Sequence, residues 1–244
     1  MGRTCNDPVV PEYGRFCPVS LGSEVLADRW TPLILRELVL GNTRFNDIAR
    51  GLPGISRSLL VQRLRHLERH GVVETWPSPT GRGSEYHLTR AGKDLEPVIE
   101  ALGKWAIEWL FDDLDPHDID PLPLTWAMHR RVDAERLPPG RVVIQFDHTA
   151  PERMSIWIVL DRGEASVCVQ HPGFESDVVV TTTTPALAEV FQGYCTWSGA
   201  VREGTITVAG APALTKALSK WFLWSPFADD TRRRLATASR ATRG

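Results

Sequence analysis

Between Ser56 and Arg69, four side chains with strong hydrogen-bonding capacity, Ser58, Gln62, Arg65 and Arg69, recur at intervals of three and four. At about 100° per residue they share one face of a helix, with Arg57 and Val61 beside them. Leu60, Leu64 and Leu67 fall on the opposite face. The chemistry of such a face is recognition rather than bond making. A glutamine amide donates and accepts in one plane, which suits the edge of adenine; a guanidinium suits guanine or a phosphate. The N-terminus of the same helix, capped by Ser56, offers free N–H groups to a phosphate. A helix charged only for solubility usually mixes signs in i,i+4 pairs, yet Glu68 is the only acid on this one.

The other reactive side chains lack partners in the sequence. His66 and His70 have the i,i+4 spacing of metal ligands but no HExxH glutamate. Neither His148 nor His171 stands near a ligand-spaced cluster. No GxSxG, Walker-type loop or GxGxxG occurs, and the adjacent acids Asp112-Asp113 and Asp229-Asp230 suit solvated turns. These absences predict a protein that is not an enzyme and has no metal or cofactor. The cysteines, four in 244 residues, are widely spaced with no CxxC, which fits free thiols in a reducing compartment. No apolar run approaches the roughly 18 residues of a membrane span, and no signal-peptide core opens the chain. The expected location is the cytoplasm.

Charge is strongly segregated along the chain. Its formal net charge is −2, but residues 41–93 hold nine Lys or Arg against four acids, or +5. Residues 112–231 hold nine basic and seventeen acidic residues, or −8, and the last thirteen residues carry five arginines and no acid. Two domains with different partners, one partner a polyanion, account for that pattern.

The elements that must position the recognition face are legible around it. "SEVLADRWTPLILRELVLGN" predicts a helix capped by Asp28 or Thr31, with Pro32 tolerated in its first turn, Trp30, Ile34, Leu35 and Leu38 on one stripe and a stop at Gly41-Asn42. "TRFNDIARGL" predicts a short helix packing Phe45, Ile48 and Leu52, preceded by Arg44. After Pro53-Gly54, the helix from Ser56 to Arg69 follows, closed by Gly71. "VVETWPSPTGRGSEYHLT" reads as a β-hairpin with Arg82 at its tip. A last amphipathic helix over 91–110 carries the stripe Leu95, Val98, Leu102, Trp105 and Trp109, too wide for one small domain to cover, so it predicts pairing with a second copy. Three helices, a tight turn before the third and a hairpin form a winged helix-turn-helix.

These residues resemble the HxlR family of bacterial transcription regulators. The motifs are "CPV" at Cys17, "DRWTPLILREL" at 28–38, "TRFNDI" at 43–48, "LPGISRSLLVQRLRHLERHGVV" at 52–73, "SEYHLTRAG" at 84–92 and "LGKWA" at 102–106. The resemblance spans about residues 13–110 and extends to the wider MarR-like winged-helix regulators. It implies a homodimer held by terminal helices on a near-palindromic double-stranded DNA operator. On the residue reading above, the DNA contacts are expected from Arg44, Ser56, Arg57, Ser58, Val61, Gln62, Arg65, Arg69 and Arg82. Some members sense thiol-reactive compounds with a cysteine at the "CPV" position, which makes Cys17 a redox candidate. Family members typically end soon after the helix holding Trp105, whereas this chain runs on for about 130 residues.

Beyond the Asp- and Pro-rich run at 112–123, a second composition begins. "LTWAMHRRVDAERL" reads as a helix. "RVVIQFDH", "RMSIWIVLD", "EASVCVQ" and "SDVVVTTTT" read as strands, "PALAEVFQGY" as a helix, "GTITVAG" as a fifth strand and "APALTKALSKWFLWSPF" as a final helix. Ile144, Phe146, Ile156, Ile158, Val167, Val169, Val178 and Val180 are expected on the covered face. This order, with Gly193, Gly204 and Gly210, resembles the sterol-carrier-like lipid-transfer fold over roughly 124–228. That resemblance implies a cavity for a hydrophobic small molecule, with Trp126, Phe146, Ile158, Phe191, Tyr194, Trp197 and Trp221 as its lining.

The expected architecture is therefore α+β. A winged-helix DNA-binding and dimerisation domain (1–111) leads through a linker (112–123) to a sterol-carrier-like domain (124–230), a mixed five-stranded sheet with helices on one face. A flexible basic tail (231–244) ends the chain. The expected function is a repressor whose operator binding responds to a hydrophobic effector. The alternative is a redox- or electrophile-sensing regulator that uses Cys17, its second domain serving in dimerisation.

Overall fold

Prolines decide where the N-terminal helices break. The computed structural model describes residues 17–78, 83–110 and 119–241; Arg82, most of the 112–123 run and the last three residues lie outside them. Ser23–Leu26 close a separate helix, α1 (Pro18–Leu26), and the helix expected from a cap at Asp28 or Thr31 is α2 (Thr31–Val39), with Pro32 in its first turn. Pro32 has no N–H to donate to Asp28 and its ring would strike that carbonyl, so a continuous helix cannot pass. Then come α3 (Phe45–Arg50), α4 (Arg57–Arg69), and an antiparallel hairpin of β1 (Val73–Pro77) and β2 (Ser84–Leu88). The helix expected over 91–110 is interrupted, into α5 (Arg90–Lys93) and α6 (Glu96–Trp109). Pro97 cannot bond Lys93, where α5 stops.

Ile34, Leu35, Leu38, Ile48, Leu52, Leu60, Leu64, Leu67, Val72 and Val73 make one apolar core, with Leu95 and Ile99 packed against it. At about 25 cal/mol per Å² of apolar surface, such a core is what holds three short helices at fixed angles.

Contacts divide the chain into two compact units, Met1–Ile99 and Glu100–Gly244. The division falls inside α6 rather than at the Asp/Pro run. From Glu100 onward α6 belongs with the second unit because Gly103 packs on Phe227 so closely that a Cβ would lie 2.4 Å from the ring. Ile107 is buried one turn later.

The second unit starts with α7 (Pro121–His129), where Asp120 caps the helix by accepting from Leu122 N–H at 2.8 Å. The five expected strands all form: β3 (Val142–His148), β4 (Met154–Asp161), β5 (Glu164–Cys168), β6 (Val178–Thr182) and β7 (Ile206–Gly210). Their order is β5-β4-β3-β6-β7, mixed because β3 and β6 run parallel while the other neighbours are antiparallel. Helices α8 (Thr184–Gln192), α9 (Trp197–Glu203), α10 (Pro212–Ala217) and α11 (Ala228–Ala241) complete it.

Period-two alternation sends Val142, Ile144 and Phe146 of β3, Ile158 and Leu160 of β4, and Val178 and Val180 of β6 into one core with Leu187, Phe191, Trp221 and Phe222. Val169 departs from expectation: β5 ends at Cys168, and Val169 is exposed. The stretch expected as one last helix is helical only to Lys220, and the supposed flexible tail is helical through Ala241. Asp229–Arg232 and Asp230–Arg233 pairs staple the first turn of α11.

Head and tail of this unit are stitched together. Val132 bridges Phe222, Asp133 N–H donates to Trp221 O (2.8 Å), and Leu223 N–H donates to Arg131 O (2.6 Å). The Arg131 Nε–H reaches Leu223 O and Trp224 O at 2.6 and 2.5 Å, and burial lowers its pKa.

Candidate nucleic-acid interface

Helix α4 is sorted by face. Leu60, Leu64 and Leu67 are 0%, 1% and 0% exposed. Ser58, Gln62, Arg65 and Arg69 are exposed on the other side, with Val61 half-buried. Together with Glu68 they line one shallow concavity. Ser56 is the N-cap, its Oγ accepting from Leu59 N–H at 3.2 Å, so the first turn is held open to solvent without unsatisfied strain.

Not every arginine of this segment is alike. Arg65 and Arg69 carry no ion pair among the described residues. Arg63 is withdrawn into a pair with Asp28, which ties α4 to the start of α2. Arg57 lies over the Phe45 ring, 5.0 Å from its centroid, and donates to Asn46 Oδ1 at 3.0 Å, so it flanks the face rather than stands on it. Arg44 reaches Glu85 of the hairpin at 3.4 Å. Arg82, expected at the hairpin tip, lies outside the described residues.

Two titratable neighbours feel this surface. Burial lowers the pKa of His66, and the charges of His70, Arg69 and Arg63 add to that shift. Burial raises that of Tyr86 on β2, Glu68 acting in the same sense and Arg65 against it. Tyr86 therefore lies within electrostatic reach of the concavity.

Residues 25–113 match the model of the HxlR-like helix-turn-helix family. An HTH-type transcriptional regulator of Synechocystis sp. is 38% identical over 101 residues, covering 41% of this chain and 74% of that one. The HTH-type regulator YvaP of Bacillus subtilis is 40% identical over 98 residues, 40% of this chain and 87% of its own. The chain belongs to the HxlR-like helix-turn-helix family. It is thus a DNA-binding transcription regulator of HxlR type. Among solved structures, the reduced form of the regulator YodB from B. subtilis is 33% identical, covering 39% of this chain and 96% of YodB with a TM-score of 0.35.

In this HxlR-type chain, the stripe read as a pairing surface is largely uncovered. Val98, Leu102, Trp105 and Trp109 of α6 are 47%, 50%, 52% and 67% exposed, while Leu95 packs on the winged-helix core. Cys17 is the N-cap of α1, a free and partly exposed thiol. Among the described residues, no group of three or more His, Cys, Asp or Glu is placed to hold a metal ion, and no helix is long and apolar enough to cross a membrane.

The seven residues read as a cavity lining are scattered in environment. Phe146 and Ile158 have no accessible surface, so they border no space that water could enter and are packing residues. Phe191 and Trp221 also belong to the solid core. Only Trp126, Tyr194 and Trp197 keep partial exposure. Trp126 is stacked on His129 and Trp197 on Trp224, with centroids 4.3 and 5.9 Å apart. Sequence pattern alone cannot separate a core aromatic from a pocket aromatic, because both stand on the same covered face.

Sequence reasoning noted Glu68 only as the lone acid of its helix, without assigning it to the site, and passed over Tyr86. The spacing of Glu68, three from Arg65 and six from Gln62, was a usable signal; the position of Tyr86 depends on the hairpin's placement and had none.

Proposed function

We propose that this regulator is a homodimeric repressor reading a near-palindromic operator with the outer face of α4. The observation that carries this is the sorting of α4, leucines sealed on one side and Ser58, Gln62, Arg65 and Arg69 presented on the other. In this reading Gln62 and Arg65 face base edges, and Arg69, Arg44 and Arg82 face phosphates. Arg57, Ser58 and Val61 flank them, while Ser56 holds the helix start beside a phosphate. Pairing through the α6 stripe sets two recognition helices about 34–36 Å apart, one turn of DNA.

The test compares a duplex selected from a random pool with an unselected one. Gln62→Ala should weaken the selected duplex by about 1–3 kcal/mol and the unselected one little, because it removes base readout. Arg69→Ala should weaken both and flatten the dependence of log K on log salt by about 1.8 per dimer, about 0.9 for each lost phosphate contact. Equal losses from Gln62→Ala on both duplexes would defeat this reading of α4.

For the second unit, the sterol-carrier-like reading assigns a hydrophobic effector. A series of aromatic contacts supports it: Phe146 to Phe222 at 6.3 Å, Phe222 to Trp224 at 6.0 Å and Trp224 to Trp197 at 5.9 Å, running from the core to the half-exposed Trp197. An apolar effector seated on that outer pair would quench tryptophan fluorescence and change operator affinity, and Trp197→Ala would abolish both. The second reading makes Cys17 the input, favoured by its place at the start of α1. Oxidant-dependent operator release that Cys17→Ser abolishes would select it.

A further inference from the structure

Inside the winged-helix unit, one carboxylate has no contact with solvent. Glu37 of α2 is completely buried, and the side chains of Arg36 and Asn42 both donate to it. Arg36 donates to Glu37 Oε1 through Nη2 at 2.7 Å and Nε at 3.1 Å. Asn42 Nδ2 donates to Oε2 at 2.9 Å. Arg36 Nη2 also donates to the backbone oxygen of Gly51 at 3.0 Å.

Local sequence explains each arrival. Helix α2 ends in a Schellman motif: with Gly41 at φ 86°, its N–H donates to Leu38 O and Asn42 N–H donates to Glu37 O, both at 3.0 Å. That turn brings the Asn42 amide back over Glu37. From the other side comes Gly51, the C-cap of α3, where a Cβ would lie 2.0 Å from Glu37 Oε2. Its φ of −75° is ordinary, so glycine is needed there for space and not for backbone conformation.

The cluster therefore joins α2, the turn into α3 and the turn out of α3, which leads in five residues to Ser56 at the start of α4. Burying a charge with its partners is a weak way to gain stability, since desolvation offsets the attraction. It is a good way to select one geometry, because hydrogen bonds are directional where apolar contacts are not. The angles between these segments decide where the outer face of α4 points.

We propose that the Arg36–Glu37–Asn42–Gly51 cluster is a positioning element that sets the tilt of α4 and so governs discrimination among DNA sequences more than affinity for DNA in general. General affinity comes from exposed arginines set against phosphates, such as Arg69 and Arg44, which tolerate small rotations of the helix. Base readout by a planar amide does not tolerate them. The proposal rests on the reading of α4 given above, and the measurements below separate the two.

The experiment uses the full chain, a duplex selected from a random pool by the wild type, and an unselected duplex of equal length. Glu37→Gln keeps the shape but sets an amide N–H against the Asn42 donor. It should lower the ratio of selected to unselected affinity about tenfold, leaving affinity for the unselected duplex within twofold. Adding Asn42→Asp supplies an acceptor for that amide and returns the charge, so the double variant should recover most of the ratio. Asn42→Ala, which deletes one hydrogen bond at the half-buried edge, is the milder second variant should Glu37→Gln not fold; it should lower the ratio about threefold. A folded variant that keeps the ratio within twofold, or loses affinity equally for both duplexes, overturns the proposal alone. A wild type that prefers no sequence overturns it together with the reading of α4.

Discussion

Replacing Trp105 by alanine should separate the two copies. Trp105 is 52% exposed in the single chain and lies at the middle of the α6 stripe. Taking about 250 Å² for a tryptophan, roughly 130 Å² per copy and 260 Å² per dimer await burial. At about 25 cal/mol per Å² that is an upper bound near 6 kcal/mol. Alanine keeps its own Cβ surface and an interface rarely covers both ring faces, so about half of this, ~3 kcal/mol, is the expected loss. It corresponds to a dimer dissociation constant roughly a hundredfold weaker. Sedimentation equilibrium over a nanomolar to micromolar series would read this directly, with circular dichroism confirming that the monomer stays folded. Operator binding should then lose its steep concentration dependence, because each monomer holds one half-site. A wild-type chain that sediments as a monomer at micromolar concentration, or a Trp105→Ala dimer as tight as the wild type, would refute the reasoning.

Acid should weaken the second unit through His148, which is buried with Nδ1 at 3.0 Å from Thr184 Oγ1 and has its pKa lowered by desolvation. The unfolded chain then binds the proton more readily, so stability is full above the ordinary histidine pKa of about 6.5 and is lost as pH falls through and below it. Thermal melts of His148→Asn should show a shallower acid slope, and an unchanged slope would rule the residue out. Gly103→Ala should destabilise by about 1–3 kcal/mol because its Cβ would lie 2.4 Å from Phe227. Phe227→Leu in the same chain should return part of that in a denaturant titration, whereas strictly additive losses would exclude the contact. Ser56→Ala should cost about 1 kcal/mol by removing the α4 cap, again read by denaturant.

How much of this was legible depended on the range of the interactions involved. Short-range pattern placed all five strands, because alternation in "RVVIQFDH" or "SDVVVTTTT" is written by adjacent residues that see opposite faces. It also placed the two faces of α4, since Leu60, Leu64 and Leu67 recur at helical spacing. What failed involved a proline or distant partners. Pro97, inside the helix expected over 91–110, separates α5 from α6 instead, whereas Pro32 stands in the first turn of α2 as expected. Helix α9 went unread because "WSGAVRE" is short and lacks a long apolar stripe. Arg57 and Arg63 look equivalent in sequence to Arg65, yet they are committed to Phe45 and Asp28, neighbours that only the folded chain supplies.

The stitch between residues 131–133 and 221–224 has a consequence for how the chain is made and handled. The second unit cannot close until residues 221–224 have left the ribosome, so the winged-helix unit can fold first. Because the seam closes through Trp221, Phe222 and Leu223, trimming the chain back to Lys220 should leave the second unit unfolded while the winged-helix unit still folds.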